Sequence, residues 1–590
     1  MGSRSIASED RYEQVMELAK RRGFFWPSYE IYGGVAGFYD LGPLGARLKD
    51  KIIALWRHYF IRSHSHIVVE IETPVIAPAR VFEASGHLEH FTDPIVECLS
   101  CRRKFRADHL IEERLDIKAE GLSLEEMTQI IHEHDIRCPV CGGPLDEVRS
   151  FNLLFKTTIG PYSENVGYLR PETAQGMFVA FKRVHEVTRQ RLPLGIAQIG
   201  RVARNEISPR QGMIRLREFT IAEIEFFFDP EDPWHGGILE ELLDRVSHRK
   251  LRILRADAKA KGIDKPEEYG VREAIEEGII VTPWLAYWMA VARDFIMELG
   301  VPYENMYFEE KAPEERAHYA AQTFDQLVKV SRLGWVEVSG HAYRTDYDLS
   351  RHMKYSGQDL RVFKQFEEPK VIKKRVVIID RAWAGRTFRQ RAREILEAAQ
   401  SLDPDEVEKI LRDKGFIEVA GVKIPAEHVK IIEKVEKVTG KRFIPHVAEP
   451  SFGVERLLFV TLDYAYSEKD GRVVLRIPRR IAPIEAAVFP IVRDEKLVEI
   501  ARSIWWRILE SGMYAIYDDD GSIGRRYARV DEIGVPAAIT VDYQTLEDNT
   551  VTLRDRDTWK QVRISVDNVV DALRRFIKGA DITELGKPIE

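Results

Sequence analysis

Arginine and glutamate recur through residues 201–226, RVARNEISPRQGMIRLREFTIAEIEF, with five arginines and four glutamates among strand-forming residues. Guanidinium forks hold phosphate bidentately, an aromatic face stacks on a base, and a carboxylate binds an ammonium group. The break at SPRQG between two strand-like arms predicts an antiparallel hairpin. Period-2 alternation then places Arg215, Arg217, Phe219, Ile221, Glu223 and Glu225 on one face of the second arm, and Arg204 with Glu206 on one face of the first. Cross-strand ion pairs on an exposed sheet would explain the charges but leave Phe219 among them unexplained. A surface that receives a polyanion beside an ammonium group explains all of them.

All four cysteines fall in two pairs, Cys98/Cys101 in CLSC and Cys138/Cys141 in CPVCGG, with 36 residues between the pairs. A reducing compartment disfavours disulfides, and two such knuckles supply four thiolates to tetrahedral Zn²⁺. With no His or Asp holding an open position beside them, the expected zinc is structural.

These residues must be positioned by a chain of 590 residues, 44% hydrophobic, which is long enough to bury several cores. No run reaches the ~20 apolar residues of a membrane span, and MGSRSIASEDRYEQVMELAKRR lacks the apolar stretch of a secretory signal, so the expectation is a cytoplasmic protein. A net charge of −7 argues against coating nucleic acid by bulk charge. Residues 370–393 nevertheless carry nine Lys/Arg against one acid, which suits either a solvated face or an RNA contact.

Along the chain, residues 1–87 combine an amphipathic helix, glycine-rich turns and a long helix with Leu48, Ile52, Leu55, Trp56 and Tyr59 on one face. That helix leads into IVVEIETPVIAP, a strand closed by Pro74. Residues 88–150 form a cysteine-bearing insertion, 151–228 are dominated by strands and turns, and 229–335 read as a mainly helical insertion. Strand-like sequence returns at 336–360, followed by a charged insertion at 361–440. In 441–478 a strand and turn precede a helix with Val454, Leu457, Leu458 and Thr461 at helical spacing. Short apolar strands separated by helices mark 479–590 as a separate α/β domain.

The segment around Arg204, Glu206, Arg215 and Phe219 resembles motif 2 of class II aminoacyl-tRNA synthetases, Arg-x-Glu, a loop, then Arg-x-x-x-Phe. Pro74 looks like the proline of motif 1, and EPSFGVERLLF looks like motif 3 with Arg456 as its arginine. Among these enzymes, YLRPETAQGMF, RNEISPRQGMIRLREFTIAEIE and EPSFGVER resemble glycyl-tRNA synthetases of the homodimeric, archaeal and eukaryotic type. HAYRTDYDLSRH, SIGRRYARVDEIGVPAAITVD and TVTLRDRDT fit the same family. The resemblance spans nearly the whole chain apart from the insertions, and the ordered set is far more specific than any one motif.

What the resemblance implies is an α+β protein. It would have a class II antiparallel-sheet catalytic domain with helical and zinc-knuckle insertions, and an α/β anticodon-binding domain at 479–590. The implied reaction is attack by the glycine carboxylate on the α-phosphorus of ATP, then transfer of glycyl to the 3′-terminal adenosine of tRNA(Gly). Arg204 would hold the α-phosphate, Arg215 the γ-phosphate, Phe219 and Arg456 the adenine faces and Glu206 the adenine edge; Glu449 is counted with this ATP set. Mg²⁺ would bridge the phosphates, with Glu449 or a neighbouring acid as the candidate ligand and the choice left open. Glu172, Glu223, Glu449 and Ser451 would grip the glycine ammonium end, with Arg344 near the carboxylate. Arg525, Arg526 and Arg529, read as a loop between strands, would contact tRNA. A non-catalytic relative, such as the accessory subunit of a mitochondrial DNA polymerase, has no reason to keep Arg204, Glu206, Phe219 and Arg456 together. A synthetase of another specificity should lack the Glu172, Glu223 and Ser451 set.

Overall fold

The apolar stripe expected after the glycine-rich turns folds as α1 (Pro43–Phe60), which buries Leu48, Ile52, Leu55, Trp56 and Phe60. Pro43 starts the helix at a position where its missing N–H is no loss. Tyr59, expected on the inner face, is half-buried beside it, because the stripe runs through 48, 52, 56 and 60. The computed structural model describes residues 8–589 other than 120, 163, 208, 210 and 211.

A nine-stranded sheet lies against α1. Its strands are β1 (Val68–Glu70), β2 (Leu194–Ala203), β3 (Glu218–Phe228), β4 (Lys250–Leu254), β5 (Glu267–Gly270), β6 (Met306–Glu310), β7 (Gln322–Val330), β8 (Gly334–Thr345) and β9 (His446–Gly453). Their order across the sheet is β5-β4-β6-β7-β8-β9-β3-β2-β1. Every neighbouring pair is antiparallel except β4 with β6 and β2 with β1. Five helices matter to the site: α1, α2 (Ala174–Val187), α3 (Pro283–Glu298), α4 (Tyr347–Ser356) and α5 (Val454–Ala465).

α1, α3 and α5 pack on one face of the sheet. α3 is apolar nearly all round, from Trp284 to Ala292, and is buried accordingly. Alternation along β3 and β9 sends Ala222, Ile224, Phe226, Ala448 and Phe452 to that side. Phe60 joins the layers, its ring 4.9 Å from Phe452 and 6.0 Å from Trp288. The opposite face carries the polar members of the same strands.

Several expectations are corrected here. Residues 229–335, read as mainly helical, supply β4, β5, β6 and β7 to the sheet; β4, β5 and β6 are short and charged with no clean two-residue period, whereas β7 has one. Within 151–228 lies α2, and within 336–360 lies α4, both helices in segments read as strand. β2 and β3 do form the antiparallel pair, from Leu194 opposite Phe227 to Ala203 opposite Glu218. The strands stop there, so Arg204, Glu206, Arg215 and Arg217 sit on the connection rather than on strand faces. Ser208, Arg210 and Gln211 of the expected turn SPRQG lie outside the described residues.

The cysteine segment builds a small body of its own, with strands Thr92–Glu97, Lys104–Arg106 and Arg149–Asn152 and helices Ala107–Leu115 and Leu124–Glu133. A capping box between Ser123 and Glu126 starts the second helix. At the C-terminal end, strands Ala515–Tyr517, Ala486–Pro490 and Ala537–Val541 are parallel neighbours, and Thr550–Asp555, Gln561–Ser565 and Lys587–Pro588 extend the sheet antiparallel. Residues 361–444 are a second compact unit. There a long ribbon, Val362–Ile379 with Val429–Phe443, joins helices Arg381–Phe388, Ala392–Ala399 and Pro404–Lys414 around Val377, Ile395, Val407, Ile417 and Ile424.

His64, just past α1, is buried against Tyr287 and Trp288, and burial pushes its imidazole down to about 4. An unfolded histidine takes a proton near pH 6.5, so between there and about pH 4 the unfolded chain binds a proton that the folded chain refuses. Stability is therefore lost as pH falls through that window, on the order of 2 kcal/mol by about pH 5 from this residue. His64→Gln should lessen the difference between denaturant unfolding at pH 7 and pH 5; an unchanged difference would refute the assignment.

Candidate active site

Loop residues between β2 and β3 return across their own strand ends. Arg204 N–H donates to the Arg217 carbonyl at 2.8 Å, and Glu206 N–H to the Arg204 carbonyl at 2.7 Å. Arg204 Nε donates to the Pro171 carbonyl at 3.0 Å, and its guanidinium carbon stands 5.3 Å from the Phe219 ring centre. Glu206 and Arg215 approach to 3.5 Å. From the first turn of α5, Arg456 reaches the Ile214 carbonyl at 2.9 Å and the Glu337 carboxylate at 3.2 Å. Arg204, Glu206, Arg215, Phe219 and Arg456 thus line one narrow slot with Met213, Ile214 and Leu216.

The slot opens on a cleft of roughly 500 Å³ that shares Arg204, Phe219, Gly453 and Arg456 with it and adds Glu172, Glu223, Glu449 and Ser451. Pairing of β3 with β9 sets Glu223 opposite Ser451, so both strands present polar groups at one level. Glu223 accepts from the backbone N–H and hydroxyl of Thr173 at 3.0 and 2.5 Å. Glu172 accepts from Gln175 at 3.0 Å and lies 3.5 Å from His87. Glu455, beside Arg456, is buried and accepts from the Thr220 N–H at 2.7 Å and from Lys49 at 3.0 Å, which ties the start of α5 to β3 and α1.

Arg344 does not line the cleft. It is fully buried and donates to Asp348 at 2.8 and 3.1 Å and to Glu449 at 2.8 Å, with Glu172 at 3.7 Å and the Tyr319 ring centre 3.6 Å away. The expectation of a contact with a substrate carboxylate is corrected on this ground: three side-chain acids surround the guanidinium. Burial works against its charge, but Asp348 and Glu449 more than offset this and raise its proton affinity well above the usual arginine range. Burial likewise opposes ionisation of Glu172, yet His87 and Arg344 hold it below the usual carboxylate range. Glu449 is pushed well up by burial, against the pull of Arg344.

Arg525, Arg526 and Arg529 are corrected from loop to helix. They lie on α6 (Ile523–Glu532), where Ile523, Tyr527 and Val530 form an inner stripe. Arg526 is buried and donates to the carbonyls of Asp519 and Gly521 at 3.0 and 2.8 Å. Arg529 pairs with Asp518 at 2.6 Å, and Arg525 is exposed.

The sequence reading missed His87, Gln175, Tyr319 and Asp348 around Arg344, and Lys311, Asp325 and Glu337 on the cleft wall. Asp348 had a local signal, its four-residue spacing from Arg344. The others come from separate elements. Asp325, beside Glu337 and Lys311, is raised to about 7 by burial and by Glu337.

Away from the cleft, the four cysteine sulfurs lie within 4.8 Å of one another, Cys98 to Cys141 at 3.5 Å and Cys101 to Cys138 at 3.7 Å. Tetrahedral sulfurs around a metal with bonds of about 2.3 Å stand roughly 3.8 Å apart, so the four thiols fit one ion. Both knuckles end in a left-handed residue, Arg102 at φ 60° and Gly142 at φ 70°. The Cys101 N–H points to the Cys98 sulfur at 3.4 Å. Among the described residues no helix is long and apolar enough to cross a membrane.

Residues 156–249 match the class II core domain model of tRNA synthetases (G, H, P, S and T), and residues 485–576 match an anticodon binding domain. The chain is 60% identical to the glycine–tRNA ligase of Aeropyrum pernix, covering 99% of this chain and all of that one. It is 47% identical to that of Pyrococcus horikoshii, over 97% of this chain and 99% of the other, and 47% identical to that of Methanothrix thermoacetophila, over 98% and 100%.

Removal of Arg344 leaves Glu172, Asp348 and Glu449 without their shared cation. Arg344→Ala should lower unfolding stability by about 3–5 kcal/mol, the usual consequence of leaving a buried charge unpaired. Denaturant unfolding at neutral pH checks this, and a loss below about 1 kcal/mol would show that the acids are not held by it.

Proposed function

The chain belongs to the glycine–tRNA ligase family, and we propose that the slot and cleft together bind ATP and glycine end to end. It is a glycine–tRNA ligase, which activates glycine with ATP to glycyl-adenylate and pyrophosphate and transfers glycine to tRNA. The observation that supports the assignment of residues is the shared lining: Arg204, Phe219 and Arg456 at one end, and Glu172, Glu223, Glu449 and Ser451 at the other, all in one continuous opening.

In this reading adenine enters between Phe219 and Arg456, with Glu206 at its edge, while Arg204 neutralises the α-phosphate and Arg215 the γ-phosphate. The glycine carboxylate is already an anion and needs no protein base. The rate comes from holding it in line with the phosphorus and from arginines placed where charge develops. Glu223, Glu449 and Glu172 receive the ammonium group, and their repulsion is relieved by it and by Arg344 behind them. Arg344 thus acts by orienting Glu449 and Glu172.

Mg²⁺, when bound, neutralises phosphate charge. Glu337 and Asp325, adjacent acids on the cleft wall, offer the hard oxygen donors it takes. Cys98, Cys101, Cys138 and Cys141 would hold a structural Zn²⁺ that cross-links the strands of their small body. tRNA(Gly) is the macromolecular partner. Of the three arginines on α6, Arg525 has the exposed side chain suited to RNA contact, whereas Arg526 serves the fold. A homodimer is supported by the exposed apolar Val75 and Ile76 beside Pro74. The cytoplasm, where charged tRNA is used, is the location in this reading.

Glycine-dependent exchange of pyrophosphate into ATP tests the assignment. Arg204→Ala should lower it by on the order of 10²-fold or more with the protein still folded, and near-normal exchange in that variant would sink the role.

Selectivity follows from size. Every competing amino acid is larger than glycine and must overlap the wall, and overlap in a rigid, hydrogen-bonded pocket costs more than a lost contact. Ser451, level with Glu223, is a candidate for part of that wall. Ser451→Gly should raise the alanine-to-glycine ratio of kcat/KM while leaving ATP binding largely intact. An unchanged ratio would move the exclusion to the carboxylates or the backbone.

A further inference from the structure

We propose that Glu225 is a neutral carboxylic acid and a positioning residue for the ammonium pocket, its retained proton keeping a further negative charge away from Glu223 and Glu449, which face glycine. The role in glycine binding rests on the reading above; the protonation state does not.

The argument starts from spacing. Glu225 follows Glu223 by two residues on β3, so alternation turns both to one side of the sheet. Oxygens of Glu223, Glu225 and Glu449 lie within 4.8 Å of one another, and all three side chains are buried. Around Glu225, β3 brings Glu223, β9 brings Glu449, β8 brings Arg344 and α4 brings Asp348. On β2 the residue opposite Glu225 is the apolar Ile196. One cation thus faces four acids. Carboxylates this close in a dry site cannot all ionise.

The hydrogen bonds set Glu225 apart from its two neighbours, which also bond to each other. Glu449 accepts from Arg344 at 2.8 Å, and Glu223 accepts twice from Thr173. Glu225 is fully buried, and neither of its oxygens has a hydrogen-bond partner among the described residues. A charge is least supported where nothing donates to it. Burial, with Glu449 next, accordingly holds Glu225 well above the usual carboxylate range. Ionised, Glu225 would repel both neighbours and turn them from the cleft; neutral, it lets the Arg344 and Thr173 hydrogen bonds set their orientation.

Glu225→Gln, a neutral side chain of the same shape, tests this in the full-length protein. The infrared difference between wild type and variant at neutral pH should contain the carbonyl band of a buried, protonated carboxyl group, lost in the variant. If no such band is lost, the proposal is overturned. An unfolded glutamate ionises near 4.5, whereas the folded one keeps its proton. The stability tied to that proton is full below the unfolded value and is lost as pH rises toward the folded one. Glu225→Gln should therefore gain stability relative to wild type as pH rises above the unfolded value of 4.5, and a flat difference would count against the proposal. In pyrophosphate exchange, the KM for glycine reports the effect of this proton on the pocket. The wild-type KM should rise more steeply toward alkaline pH than the variant's. A rise of about 100-fold in the variant at neutral pH would identify Glu225 as an ionised ligand and overturn the proposal. A wild type inactive with glycine would instead strike the function assignment, while the infrared and stability results would still judge the proton.

Discussion

A single buried guanidinium, Arg344, is the constraint on which the amino-acid end of the site depends. It comes from β8, one of its acids from α4, another from β9 and a third from the segment before α2. Three stretches distant in sequence, β8 with α4, β9 and the segment before α2, are therefore tied to one point, and none can shift without stranding a charge in a dry interior. Such a knot adds little net stability compared with apolar packing of the same volume, since desolvation offsets most of the attraction. Its value is placement. Glu172 and Glu449 line the cleft with their oxygens already oriented, so in the proposed reading an ammonium group meets a preorganised set rather than side chains that must be gathered.

At the nucleotide end the constraint is different in kind. The arginines there reach carbonyl oxygens as well as carboxylates: Arg204 holds Pro171, and Arg456 holds Ile214 and Glu337. Neutral acceptors fix the direction of a guanidinium without cancelling its charge, which leaves that charge available to a phosphate or to the face of a base. The two ends are kept at a fixed spacing by the β3–β9 pairing and by Glu455, whose bonds to Thr220 and Lys49 prevent α5 and Arg456 from sliding along β3. A spacing set by strand register does not drift, because a one-residue slip would turn Glu223 and Ser451 to the opposite face.

What was legible in the sequence was whatever is encoded locally. Alternation through FTIAEIE gave the face shared by Phe219, Ile221 and Glu223, and the two CxxC pairs gave a four-sulfur cluster. Arg344 was misplaced because its environment is set by Glu172, Asp348 and Glu449, of which one is local. The strands β4, β5 and β6 were missed because they have five residues at most and owe their conformation to sheet neighbours rather than to pattern. The loop expected at Arg525, Arg526 and Arg529 is instead α6, whose inner stripe of Ile523, Tyr527 and Val530 is present in the same letters.

Glycine presents no side chain to grip, so discrimination cannot come from added contacts and must come from the stiffness of what surrounds the α-carbon. Stiffness is what the observed bonds supply. Glu223 is held by Thr173 through both a backbone and a side-chain donor, Glu172 by Gln175, Gln175 in turn by His352 at 2.9 Å, and Glu449 by Arg344. A methyl group entering this set must displace a side chain whose own partner is buried, and the partner then loses a hydrogen bond it cannot replace with water. In the proposed reading, larger amino acids are refused through this polar network as well as by Ser451, so the carboxylates that attract the ammonium group form part of the wall.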